Sequence, residues 1–117
     1  MSPTAVLFDL RLIVAILRTE ACGIDHPMSN KELLARLGLD FSMWHPLREF
    51  IDDALEEGVP IGSTTNHGSA GGGYYWMETY RDFDIFRVGL RARLVKGQRR
   101  LDAVERMMPE NPQGSLF

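Results

Sequence analysis

Seven basic side chains fall between residues 87 and 106: Arg87, Arg91, Arg93, Lys96, Arg99, Arg100 and Arg106, with Asp102 and Glu105 as the only acids among them. A run biased to one sign is first of all a solvated helix face, but this bias is strong enough to bind phosphate, which guanidinium groups grip through forked donors. Met43, Trp44, His45 and Arg48 stand at the start of a segment patterned as a helix, the end from which a helix in the major groove reaches base edges. Asn66, His67 and Ser69 lie in a glycine-rich stretch whose amides and small polar side chains suit backbone phosphate. These three sets, with the first six basic residues of the run, are the candidate DNA contacts.

Other chemistries find little support. Gly71 to Gly73 is not a nucleotide-binding loop, since no Lys-Ser or Lys-Thr follows and a strand, not a helix, comes next. Cys22 and His26 are metal ligands by type, but a structural zinc site needs four ligands at recognisable spacing, and the chain holds one cysteine and three histidines. No nucleophile is paired with a base by pattern. No metal, no cofactor and no enzymatic activity are expected.

The elements that must position the candidates can be read from caps and periodicity. Leu10, Ile13, Val14 and Leu17 form the apolar stripe of a first helix after the start signal Pro3-Thr4, and residues 21–28, with Gly23, His26 and Pro27, read as a connection. Ser29 and Glu32 have the spacing of a capping box, so a second helix starts at Asn30, buries Leu33, Leu34 and Leu37, and stops at Gly38. A third begins between Ser42 and Pro46, because proline is tolerated only in a first turn, and buries Leu47, Phe50, Ile51, Ala54 and Leu55 before Gly58. Residues 59–63 form a strand that Pro60 confines to an edge, residues 66–73 a hairpin tip, and residues 74–77 the returning strand. A long helix from Thr79 to about Met108 follows. Phe83, Phe86 and Leu90 are expected to pack on the core, and Leu94, Leu101, Val104 and Met108 continue the stripe past it, asking for a partner such as a second copy.

Helix, turn, helix and hairpin in that order, with Leu37-Gly38-Leu39, Glu56-Glu57-Gly58-Val59-Pro60-Ile61-Gly62 and Gly73-Tyr74-Tyr75, resemble the winged helix-turn-helix family. The branch in question holds the repressor domain of biotin-ligase regulators and many small bacterial and prophage proteins. The resemblance implies a mainly α fold with a small β-hairpin and an association with double-stranded DNA. One departure stands out. Gly38 and Gly58 are twenty residues apart, a few more than the family pattern allows, and the surplus around Phe41 to Pro46 delays the recognition helix behind an enlarged turn. That helix is also acidic beyond Pro46, with Arg48 against Glu49, Asp52, Asp53, Glu56 and Glu57. Trp44 either packs on the core or meets DNA.

The overall balance sharpens this picture. Net charge is −3, unhelpful for phosphate, yet residues 80–108 carry eight basic and four acidic side chains, whereas residues 1–79 carry five and eleven. One cysteine precludes an intrachain disulfide, no apolar run is long enough to span a bilayer, and no signal-peptide pattern opens the chain. A cytoplasmic protein with no membrane partner is expected. The domains are a winged helix over 1–78, the long helix over 79–108, and a flexible tail over 109–117.

The tail ends in Gln113-Gly114-Ser115-Leu116-Phe117. This resembles the peptide with which bacterial replication and repair proteins bind the sliding clamp, a Gln, an aliphatic residue, Ser or Asp, then Leu-Phe. Gln113, Ser115, Leu116 and Phe117 match, and Gly114 stands where the aliphatic residue would be. The resemblance implies clamp binding, with Leu116 and Phe117 in an apolar pocket. The alternative is that both fold back on the protein itself. Three functions are therefore in view: a DNA-associated protein tied to the replication machinery by its tail, a dimeric transcriptional regulator, and a protein-interaction module that does not bind DNA.

Overall fold

The structure is a computed structural model that describes residues 8–64 and 73–109. Two units divide the chain, Met1–Phe86 and Arg87–Phe117. In the first, α1 (Leu10–Glu20) is capped by Asp9, whose carboxylate accepts the backbone N–H groups of Arg11 and Leu12, and it buries Ile13 and Leu17. The expected start signal at Pro3-Thr4 lies outside the described residues. The connection then holds a strand that the sequence does not announce, β1 (Met28–Ser29). It is followed at once by α2 (Asn30–Arg36), whose N-cap Ser29 hydroxyl accepts the Glu32 N–H at 3.1 Å.

Both inner helices end in the same way. After α2 the Leu39 N–H donates to Leu34 O and the Gly38 N–H to Ala35 O, with Gly38 at φ +73°. After α3 (Trp44–Glu56) the Val59 N–H donates to Ala54 O and the Gly58 N–H to Leu55 O, with Gly58 at φ +102°. This paired closure satisfies the last helical carbonyls and needs a residue at positive φ, a conformation that is cheap only for glycine. Between the helices a 3₁₀ turn, Phe41–Met43, takes up the enlarged linker, capped by Asp40, and α3 begins at Trp44 with Pro46 in its first turn.

The strands β2 (Ile61–Thr64) and β3 (Gly73–Trp76) are antiparallel, pairing Ile61 with Trp76 and Thr64 with Gly73. β1 pairs with the other side of β3, so the sheet order is β1-β3-β2, with β2 on an edge. The architecture is thus mainly helical with a small antiparallel sheet, and helix, turn, helix and hairpin occur in the expected order. Ile13, Leu17, Leu33, Leu34, Leu47, Ile51, Ile61 and Tyr74 form one core between the three helices and the sheet. Burying eight such side chains is the main stabilising term for this unit.

Gly62 makes a close approach possible. A Cβ built on it would lie 2.5 Å from Cζ of the buried Tyr75 ring, less than any non-bonded carbon pair tolerates. Gly62→Ala is expected to cost about 2 kcal/mol by overpacking, read as a lower midpoint in urea denaturation. A midpoint equal to wild type would show that Tyr75 has room to swing aside.

The last helix, α4 (Tyr80–Met107), runs across the boundary between the units. Its first turns belong to the first unit, where Phe86 joins Tyr75 and Met77 in a second apolar cluster flanked by Ile24 and Leu55. The expectation that Phe83 and Leu90 also pack is corrected: both are exposed. Asp82 and Phe86, four residues apart, take the inward face, and Phe83 is turned aside from it. From residue 87 to 109 no described side chain is buried.

Candidate nucleic-acid interface

Two surfaces carry the expected DNA contacts. The first is the start of α3. Met43 is removed from it, because its side chain packs against the main core. Trp44 is 41% exposed and so is not packed into the core, with its ring edge-on to His45 at 5.3 Å. Trp44 and Arg48 are four residues apart and share one exposed helix face. Phe41, on the preceding turn, is 51% exposed and adds an aromatic ring that no sequence pattern singles out. His45 Nε2 lies 3.4 Å from Glu49 Oε1, one turn along the same exposed face.

Behind this end the helix turns acidic, with Glu49, Asp52, Asp53 and Glu56 all exposed. Beneath it lies Tyr74 on β3. Burial pushes its hydroxyl up to about 12, against the pull of Arg48 and with the help of Asp52, so it stays neutral at any working pH. The hairpin-tip candidates Asn66, His67 and Ser69 lie outside the described residues.

The second surface is α4 from residue 87 onward. Arg87, Arg91, Arg93, Lys96, Arg99 and Arg100 are all exposed. Among the described residues Arg91, Arg93, Lys96, Arg99, Arg100 and Arg106 make no ion pair; Arg93 donates only to the Gly89 carbonyl, at 3.5 Å, and Asp102 accepts from Gln98. At 100° per residue these bases cover every side of the helix except the Leu90, Leu94, Leu101 and Val104 stripe. They are free to meet an anion.

A third feature escaped the sequence reading. Asp82 is 3% exposed and ties the start of α4 to the connection after α1. One carboxylate oxygen accepts the Ile24 N–H at 3.1 Å and the other the N–H groups of Glu78 and Thr79, both at 3.0 Å. The Thr79 hydroxyl in turn accepts the Asp82 N–H. Burial raises this carboxyl, but the three backbone donors and the Thr79 hydroxyl outweigh it and hold it at about 2. The signal was present as Thr79-x-x-Asp82, a capping box with a shorter acid at its fourth position.

Asp82 lines a polar depression with Cys22, Asp25, His26, Glu78 and Arg81. Its groups are engaged with one another: Arg81 pairs with Asp25 at 2.9 Å, and the Cys22 thiol donates to Glu78 Oε2 at 2.8 Å. That hydrogen bond, then burial and the nearby carboxylates, raise the Cys22 pKa, the opposite of what a reactive thiolate needs. Among the described residues no three His, Cys, Asp or Glu side chains are placed to hold a metal ion, and no helix is long and apolar enough to cross a membrane.

Comparison with protein-family models, curated proteins and solved structures gives no match. Function is therefore argued from these two surfaces and from the tail.

Proposed function

We propose that the protein associates with double-stranded DNA through a winged-helix unit and a basic helix, and is held to the replication machinery by a clamp-binding tail. The observation that carries the DNA half is the exposed, unpaired set Arg91, Arg93, Lys96, Arg99 and Arg100 on α4. Phosphate neutralisation by such a set gives sequence-independent affinity, and the start of α3 adds Trp44 and Arg48. With so few bases at that end and acids behind it, α3 contributes little base reading, so DNA is bound with weak sequence preference.

The clamp half rests on Gln113, Ser115, Leu116 and Phe117, which lie outside the described residues. Two weak contacts on one chain reinforce each other by effective concentration. Deleting residues 113–117 is expected to abolish binding to a purified bacterial sliding clamp in surface plasmon resonance while leaving duplex affinity unchanged. Retention of clamp binding by the truncated chain would remove the tail from the proposal.

The exposed acids Glu49, Asp52, Asp53 and Glu56 favour a second reading, in which α3 docks on a protein and DNA is not bound. That reading requires no duplex affinity even at low salt. A defined inverted repeat returned by selection from random duplexes would instead make the protein a dimeric transcriptional regulator.

A further inference from the structure

Leu90, Leu94, Leu101, Val104 and Met108 are all exposed, Leu94 to 73%. They fall in two series seven residues apart, 90, 97, 104 and 94, 101, 108, which is the seam of a two-stranded coiled coil with Gly97 at one seam position. Such a seam is covered in water by another helix, and two features of the same segment identify that helix as a second copy running in the opposite direction.

The first is charge. Residues 87–96 hold four bases and no acid, whereas residues 99–108 hold three bases and two acids, Asp102 and Glu105. A parallel pair would set four bases beside four. An antiparallel pair sets them beside the half that contains the acids. The second is Gly97, around which nothing lies within 4 Å of a Cβ position. In a parallel pair Gly97 meets its own counterpart and leaves a gap in the seam. In an antiparallel pair a large side chain can fill the notch.

We propose that residues 90–107 of α4, with Met108 directly after it, pair with the same segment of a second copy in an antiparallel register that sets Leu94 against the partner's Val104, Gly97 against the partner's Leu101 and Leu90 against the partner's Met108. Symmetry doubles these contacts to six layers. Beside the seam, Arg91 meets the partner's Glu105 twice, and Gln98 meets the partner's Gln98 across the axis, where two amides hydrogen-bond. Sliding by one heptad loses the Arg91 to Glu105 match in either direction. On the other flank Arg100 meets the partner's Arg100, with Arg93 of each copy nearby. That strip of four arginines is the one repulsive contact, and it offers an anion a site that neither copy has alone. The pairing does not depend on DNA binding.

Cysteine pairing without DNA tests direction and register together, on a Cys22→Ser background. In the antiparallel register Leu94→Cys protein cross-links to Val104→Cys protein when the two are mixed under mild oxidation. Each alone stays uncrosslinked, because identical positions are then about ten residues, or roughly 15 Å, apart. Sedimentation velocity is expected to show a dimer that Leu101→Glu weakens by at least about tenfold, with the helical circular dichroism of the first unit retained because Leu101 is exposed. Cross-linking of Leu94→Cys with itself would show a parallel pair and overturn the proposal. So would a monomer at about 100 μM, a concentration well above what a six-layer seam needs.

Discussion

Asp82→Ala is expected to lower stability by about 3 kcal/mol, a fall in Tm on the order of 10 °C. The carboxylate is the common acceptor for Ile24, Glu78 and Thr79, so its removal leaves three partly buried N–H groups without a partner at once. It also removes an anion from the first turn of α4, where the helix dipole favours negative charge. Because Ile24 is 58 residues away in sequence, the loss loosens both the start of α4 and the connection after α1.

The pH dependence follows from the same bonds. The carboxyl sits at about 2 in the folded protein, against an ordinary value of 3.8. A depressed folded value contributes stability that is fully present above the unfolded value and is lost as pH falls through the folded one. The contribution is therefore complete above about pH 5 and disappears towards pH 2, with a magnitude of about 2 kcal/mol. Urea denaturation of wild type and Asp82→Asn at pH 6 and pH 2.5 isolates it from the other carboxyls. The stability difference between the two proteins should shrink on acidification, and an unchanged difference would mean that Asp82 is not held ionised by these donors.

The second large effect concerns DNA. Replacing Arg93, Lys96, Arg99 and Arg100 together with glutamine should weaken duplex binding on the order of 100-fold at about 50 mM salt. Glutamine has nearly the helix propensity of arginine, so α4 is kept, and none of the four lies on the apolar seam. The slope of log affinity against log salt should also flatten by up to about 0.9 for each phosphate contact removed. Isothermal titration or anisotropy on the two proteins decides it. Equal affinities would assign these four bases to solvation alone and leave the start of α3 and the hairpin-tip residues Asn66, His67 and Ser69 as the remaining candidates.

How much of this was legible depended on how local the signal was. Ser29-x-x-Glu32, Gly38 and Gly58 announced two helices correctly, because a cap is decided by three or four neighbouring residues. The edge strand was expected over residues 59–63 and is found over Ile61–Thr64, so Pro60 stands just ahead of the ladder and not within it. β1 gave no sign, since two residues have no periodicity and Met28-Ser29 becomes a strand only by pairing with Tyr74 and Gly73. The division of the α4 stripe was hidden for a similar reason. Spacing put Phe83, Phe86 and Leu90 on one line, but the tether from Asp82 to Ile24 fixes which way the helix faces, and only Phe86 turns inward.

The candidate site shows the same limit. That Arg91 to Arg100 would be exposed followed from composition. At the start of α3, sequence could not say which of Met43 and Trp44 would pack on the core, because the 3₁₀ turn that ends at Met43 sets the rotation of the helix after it, and it leaves Met43 against the core and Trp44 out. Phe41 was missed because a lone aromatic in a linker reads as core. Exposed beside Trp44, it adds a stacking surface to that end of α3.

The most direct test of DNA association is fluorescence anisotropy of a labelled random-sequence duplex with the full-length protein at about 50 mM and 200 mM salt. Binding at the lower salt that weakens on the order of 100-fold at the higher one is the predicted result, as expected for about four neutralised phosphates. No binding at either salt would contradict it, and would leave α3 and the tail as protein-docking elements on a fold that does not touch DNA.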